Sequence, residues 1–264
     1  MIGVILAAGR GTRMRPYSNA VNKEMVLVGK YPVIEYIVRA LTRSGVRKMI
    51  IVVSEGKSQI SNYFQDGSDF GASIAYVYQN FKKGEGTAKA VQAVEEWVSG
   101  SFIMVYGDSF FYPTDFFREM VERYGRDGED ALLAVYPMRE FEEYGLVKTR
   151  GGRVEDILEK VDEEKARETM VNGYYPVNSG PMIFSEEVFS YIRRVKESPS
   201  KEYWITDAIR LMAKERRVSA YFISGSVFWR DIGRMSARLE AERFILEKEA
   251  GLTKERPLEL LEKT

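Results

Sequence analysis

Between residues 5 and 25 the chain reads ILAAGRGTRMRPYSNAVNKEM, and no acidic side chain appears before Glu24. Four cations, Arg10, Arg13, Arg15 and Lys23, gather around Gly9 and Gly11. Glycines let a backbone approach a ligand closely and present its amide N–H groups, and unpaired cations beside them attract anions. This is the chemistry of a polyphosphate cradle, and a nucleoside triphosphate held for a reaction at phosphorus is the expectation. Arg10 and Arg15 also fit a purely solvated role.

Composition narrows the remaining tools. The 264 residues contain no cysteine and no histidine, which removes disulfides, thiolate or Ser-His-Asp catalysis, and thiolate or imidazole metal sites. Carboxylates, lysines, arginines and an oxygen-bound metal are left, and Mg²⁺ is the cation such ligands suit best. The 39 Lys and Arg balance 39 Asp and Glu, so there is no excess positive charge to favour nucleic acid. No stretch approaches the roughly 18 apolar residues of a membrane span and the start lacks a leading basic segment. A soluble cytoplasmic protein is expected.

The elements that must hold these residues follow from periodicity. IGVILA (2–7) is a short continuous apolar run, as in a strand buried on both faces. YPVIEYIVRALTRSGV carries apolar residues at helical spacing, with Pro32 near its first turn and Gly45 at its end. KMIIVVS is a second strand, KSQISNYFQDG a short helix, SIAYVY (73–78) a third strand, residues 86–98 a helix and SFIMVYGD (101–108) a fourth strand. Such β-α alternation predicts a mostly parallel sheet covered by helices on both faces, with its ligand site beyond the carboxyl ends of the strands.

After about residue 130 the pieces shorten to ALLAVYPM, GLVKTR, RVEDILEK and VNSGPMIF, which predict an antiparallel extension. VFSYIRRVKE, ITDAIRLMAKE and the segment from about 234 read as helices, the last ending in charged coil. The expected fold is α/β: a Rossmann-like three-layer α/β/α arrangement with a mostly parallel mixed central sheet. No linker separates a second unit, so residues 1–264 form one expected domain, and no repeat of 20 to 50 residues is visible.

Two motifs are decoys. Gly9-x-Gly11 follows a strand as a dinucleotide fingerprint does, but Met14 stands at the third glycine. EGKS (55–58) has the end of a P-loop, but Ile51 stands at its first glycine, and Ser58 reads as a helix cap.

The longer string LAAGRGTRMRPYS…NKEM…GKYPVIEY resembles the signature of the sugar-1-phosphate nucleotidyltransferases, the nucleotide-diphosphosugar pyrophosphorylases. KEM followed by YPVIEYIV is most similar to the glucose-1-phosphate uridylyl- and thymidylyltransferase branches. YQ…GEGTAKA, VYGDS, YGLV…VEDILEKV, VNSG, ITDAI and FWRDIG resemble further family motifs, in family order up to about residue 233. The chain departs at Asn22, where many members have proline before the lysine, and at Val161, where proline usually follows Glu-Lys.

The resemblance implies transfer of a nucleotidyl group from UTP or dTTP to a sugar 1-phosphate, glucose 1-phosphate first, with release of pyrophosphate. It places Arg13 on the leaving pyrophosphate, Lys23 on the α-phosphate, and Asp108 with Asp231 on Mg²⁺. Leu6, Ala8, Gly9, Gly11 and Thr12 would line the nucleoside and phosphate site, and Gln79 with Gly86 would read the base. Gly145, Glu159, Lys160 and Asn178 would hold the sugar phosphate, and Trp229 would position Asp231. The nucleotide half would span about 1–110, the sugar-phosphate half about 111–233 and a helical tail about 234–264. A monofunctional homo-oligomer, dimer or tetramer, is implied as well. A cytidylyltransferase acting on another phosphate such as an inositol phosphate, and a non-catalytic nucleotide-sensing subunit, are the alternative readings.

Overall fold

The structure is a computed structural model that describes residues 1–142 and 144–249. In chain order, Ile2–Leu6 (β1) leads through the loop bearing the cations to a hairpin of Leu27–Val28 (β2) and Tyr31–Pro32 (β3). Val33–Arg43 (α1), Lys48–Val53 (β4), Ser58–Phe64 (α2), Ser73–Tyr78 (β5), Thr87–Gln92 (α3) and Phe102–Tyr106 (β6) follow. Next come Ser109–Tyr112 (β7), Phe116–Asp127 (α4), Ala131–Met138 (β8), Leu146–Arg150 (β9), Arg153–Leu158 (β10), Glu163–Arg167 (α5) and Tyr175–Phe184 (β11). Val188–Ile192 (α6), Ile205–Glu215 (α7), Val218–Phe222 (β12), Phe228–Asp231 (β13) and Met235–Glu249 (α8) complete the described chain.

Nine strands form one mixed sheet in the order β5-β4-β1-β6-β11-β8-β12-β10-β9. β5, β4, β1 and β6 are mutually parallel, and β11 joins β6 and β8 antiparallel, which is the predicted change of character in the second half. Alternation along β1 explains why its sequence is apolar throughout. Val4 and Leu6 face a core built with Val91, Ile192, Ile209 and Met212, whereas Ile5 faces another built with Ile37, Leu41, Phe64 and Phe117.

α1 runs as its periodicity predicts. It ends where Gly45 takes φ 83, and Val46 N–H closes the last turn on Leu41 O at 2.9 Å. The expected helix over 86–98 instead stops at Gln92, because Val94 leaves the helical track at φ −100 and ψ 4, and Glu95–Trp97 form a separate 3₁₀ turn. Ser58 is not a cap: it is the first helical residue, Lys57 takes the capping position, and no side chain caps this helix. The charged coil expected beyond residue 249 lies outside the described residues.

Two small features govern the site. β7 and β13 pair antiparallel outside the main sheet, with Asp231 opposite Ser109. α8 packs beneath that ribbon and the β2–β3 hairpin through Ala241 and Ile245, in a cluster with Met14, Val26, Phe110 and Ile232. Gly29 N–H adds a 3.0 Å hydrogen bond to Glu242 Oε2. Among the described residues no helix is long and apolar enough to cross a membrane.

Candidate active site

The glycine loop begins where β1 ends. Ala7 N–H bonds Val52 O at 2.8 Å, Ser54 Oγ donates to Ala8 O at 2.8 Å, and buried Met14 anchors the far end. Gly11 takes φ 65, and Ser18 Oγ donates to its carbonyl at 2.7 Å. Between these ties Gly9, Arg10, Thr12 and Arg13 stay exposed. The side chains of Leu6 and Ala8 are buried in the sheet core, so the part of each that reaches the loop is its backbone.

Lys23 opens a 3₁₀ turn, Lys23–Met25, and its Nζ donates to Asp108 Oδ2. A β-carbon on Gly9 would meet Lys23 Nζ and Cε at 3.3 Å, so glycine there makes room for the lysine. Burial by itself would lower the Lys23 pKa, but the Asp108 charge, then Glu24 and Asp231, outweigh it and hold the ammonium protonated well above its usual range.

Asp108 follows β6 in the turn to β7, and Asp231 ends β13, so the ribbon's register brings together two residues far apart in sequence. Ile232 N–H bonds Asp108 O at 2.8 Å and locks the junction. Arg13 Nη2 lies 3.6 Å from Asp231 Oδ2, and a β-carbon on Gly233 would stand 2.8 Å from Arg13 Nη2. Burial opposes ionisation of Asp108, but Lys23 overrides it and keeps that carboxyl below the usual range. Burial, then the charge of Asp108, pushes Asp231 up to about 6. Its Oδ1 is buried and has no hydrogen-bond partner among the described residues.

These features fit Mg²⁺. Two hard carboxylates share one junction, one oxygen is left wanting a cation, and no third carboxylate among the described residues builds a closed cage. Mg²⁺ favours such a set, because it keeps waters and takes substrate phosphates as its other ligands.

Gln79 and Gly86 come together at the end of β5. Gln79 is buried, and its Nε2 donates to Gly86 O at 3.3 Å. Gly86 takes φ 100, and a β-carbon there would meet Tyr203 O at 2.4 Å, so this turn is pressed against the backbone leading into α7. Arg10 bridges the two loops: Nη2 lies 2.5 Å from Glu85 Oε1, and its guanidinium sits 4.8 Å from the centre of the Phe81 ring. It is therefore not merely solvated, whereas Arg15 is exposed.

On the other side, Asn178 N–H bonds Gly145 O at 2.8 Å, and a β-carbon on Gly145 would stand 2.7 Å from Glu159 Oε1. Protein packed around Glu159 raises its carboxyl above the ordinary range. Lys160 beside it takes φ 51. Trp229 is buried and lies against Phe111, Tyr136 and Tyr144, consistent with supporting the strand that carries Asp231.

The sequence reading passed over Tyr106, Glu24 and Lys57. Burial, then the charges of Glu159, Asp108 and Asp231, raises the pKa of the Tyr106 hydroxyl, and a β-carbon on Gly180 would stand 2.6 Å from its ring. Its signal was its place before Gly107-Asp108 in VYGDS.

The chain matches the nucleotidyl transferase family over residues 2–248. It is 31% identical to the UTP–glucose-1-phosphate uridylyltransferase AglF of Haloferax volcanii, over 94% of this chain and 98% of that protein. It is 29% identical to the low-salt glycan biosynthesis nucleotidyltransferase Agl11 of the same organism, over 94% of this chain but only 66% of that longer protein. A solved UDP-glucose pyrophosphorylase complexed with UDP-glucose shares the fold with a TM-score of 0.80 at 22% identity, over 94% of this chain and 99% of that one. With a cationic glycine loop and two aspartates at the strand ends, and a match over nearly its whole described length, the chain belongs to the nucleotidyl transferase family.

Proposed function

We propose that the protein transfers a nucleotidyl group from UTP or dTTP to a sugar 1-phosphate, glucose 1-phosphate first, forming a nucleotide sugar and pyrophosphate. The observation that carries this reading is the junction where Lys23, Asp108, Asp231 and Arg13 converge beside the exposed glycine loop. We also read the nine-stranded sheet with cores on both faces as Rossmann-like and three-layered, a single domain with its nucleotide half first.

In this reading a phosphate oxygen of the sugar 1-phosphate attacks the α-phosphorus in line. A new P–O bond forms to that oxygen, the bond to the β-phosphate breaks, and pyrophosphate leaves. A phosphate monoester has a second pKa of about 6, so the attacking oxygen is already ionised and no general base is needed. That suits a chain with no histidine.

Neutralising crowded anions is the remaining requirement. Lys23 holds the α-phosphate, Arg13 holds the departing pyrophosphate, and the amides of Gly9, Gly11 and Thr12 take further oxygens. Asp108 and Asp231 would hold Mg²⁺, which would supply charge neutralisation to the phosphates. Gln79 and Gly86 read the pyrimidine edge, with Leu6 and Ala8 shaping the loop beneath. Lys160 attracts the sugar's phosphate, while Glu159, Gly145 and Asn178 shape the sugar pocket.

Pyrophosphate release, measured for UTP, dTTP, CTP, GTP and ATP against several sugar 1-phosphates and an inositol phosphate, with and without Mg²⁺, tests the reading. Release that requires Mg²⁺ and is fastest with UTP or dTTP supports it. Release only with CTP and inositol phosphate points to a cytidylyltransferase, and none from any pair to a nucleotide-sensing role.

A further inference from the structure

Lys23 sits between Asn22 and Glu24, and one turn, residues 54–59, grips both neighbours. On one side, Asn22 N–H donates to Gln59 Oε1 at 2.8 Å, Asn22 Nδ2 donates to Gly56 O at 3.2 Å, and Gln59 Nε2 donates to Ala20 O at 3.1 Å. On the other, Glu24 is fully buried and its Oε2 accepts from Lys57 Nζ at 2.6 Å. The same turn is fastened to the glycine loop by the hydroxyl of Ser54 on Ala8 O. It is the EGKS stretch that reads as a broken P-loop.

The Asn22 backbone stands at φ −57, the value a proline ring would impose, with ψ 135 in the extended range that proline also adopts. Two hydrogen bonds to the 54–59 turn hold it there in place of a ring. Glu24 reaches beneath the other side of the site, where a β-carbon on Gly107 would stand 3.3 Å from Glu24 Cγ, directly before Asp108. A buried ion pair adds little to stability compared with apolar packing, because desolvation opposes its attraction, so its usefulness lies in geometry. Glu24 Oε1 has no hydrogen-bond partner among the described residues, so Lys57 is the hydrogen-bond donor to this carboxylate there, with the charge of Lys23 also acting on it.

We infer that Lys57, acting through Glu24, and Gln59, acting through Asn22, are positioning residues that set Lys23 against Asp108. The inference rests on the proposed function for its kinetic consequence. It predicts that loosening the turn lowers kcat and leaves the KM for the sugar 1-phosphate in place, because Lys57 and Gln59 act on Lys23, whose expected partner is the triphosphate.

Lys57→Met and Gln59→Ala are compared with the wild type by pyrophosphate-release kinetics. Each is also compared by the rate at which Lys23 is labelled by pyridoxal phosphate and borohydride, mapped by peptide mass spectrometry. Lys57→Met should lower kcat about tenfold or more, hold the KM for the sugar 1-phosphate within about twofold, and change the rate of Lys23 labelling at least threefold. The double variant Glu24→Gln, Lys57→Met, which removes both charges and keeps the side-chain shape, should recover most of that kcat. If Lys57→Met does not fold, Gln59→Ala, a change at an exposed residue, should still lower kcat about threefold and change the labelling rate.

Unchanged kcat and unchanged Lys23 labelling in a folded variant overturn the inference. So does a loss confined to melting temperature and active fraction, with turnover per active site intact. If the wild type releases no pyrophosphate from any pair, the proposed function fails, and the labelling rates still decide whether the turn positions Lys23.

Discussion

Lys23 Nζ and Asp108 Oδ2 share a hydrogen bond inside a junction whose other carboxylate, Asp231, keeps one oxygen without a hydrogen-bond partner among the described residues. Lys23 thus neutralises the buried Asp108, whereas the part-exposed Asp231 faces Arg13. Arg13, 3.6 Å from Asp231 and otherwise exposed, is the nearer mobile charge. These ion pairs are built from the charges a polyphosphate needs, so ligand binding must exchange partners rather than fill a neutral cleft.

Lys23→Ala tests this directly. It removes a cation from the reacting phosphate and leaves Asp108 buried without its partner, so kcat should fall by about two to three orders of magnitude. Lys23→Arg should rescue little, because the lysine terminus lies so close to Gly9 that even a β-carbon there would come within 3.3 Å of it, and a planar guanidinium needs more room. Pyrophosphate release by the arginine variant within tenfold of wild type would contradict the placement.

Asp231 sets function against stability. Its carboxyl is pushed up to about 6 by burial and by Asp108, so the fold penalises the ionised form. An acid with a raised folded pKa binds more protons when folded. The penalty is therefore full above pH 6 and fades as pH falls towards about 4, the unfolded value. In EDTA, Asp231→Asn should melt higher than wild type at pH 7, by about 1 kcal/mol after allowance for partial exposure, and the gain should vanish below about pH 4. Turnover with Mg²⁺ should drop at least a hundredfold. A gain that persists undiminished at low pH would assign the stabilisation to something other than ionisation.

Lys160 stores backbone strain beside the sugar pocket. It takes φ 51, a left-handed conformation that asparagine tolerates better than lysine. Lys160→Asn should leave the protein as stable or up to about 1 kcal/mol more stable. It should still raise the KM for the sugar 1-phosphate about tenfold and change kcat little, since it removes attraction already present in the ground state. Titration of initial rates against the sugar phosphate separates the two parameters, and an unmoved KM places that substrate elsewhere.

How much of this was legible in the sequence varies with the distance over which each feature is decided. β1, β4 and α1 are fixed by local apolar runs, and the glycine loop follows directly from β1, so both were readable. The β7–β13 ribbon is fixed by pairing between residues 109–112 and 228–231, which no local pattern encodes, and with it goes the meeting of Asp108 with Asp231. The family motifs pointed to both aspartates without giving that register. Glu24 and Lys57 were harder still. Each looks like an ordinary surface charge, and only folding buries both and closes a pair 33 residues apart, next to Lys23 in the chain.

Asn22 allows the most discriminating exchange. Its backbone at φ −57 admits proline, but proline has no N–H to give Gln59 and no side-chain amide for Gly56. If those hydrogen bonds serve to hold a conformation, the ring can hold it instead, and Asn22→Pro should keep kcat within about threefold of wild type. The stronger expectation is loss of additivity. Gln59→Ala should lower kcat in the wild-type background and lower it clearly less when combined with Asn22→Pro, because its bond to Asn22 is already gone and only the one to Ala20 O is left to lose. Equal effects of Gln59→Ala in both backgrounds would show that Gln59 acts on the site by a route other than Asn22.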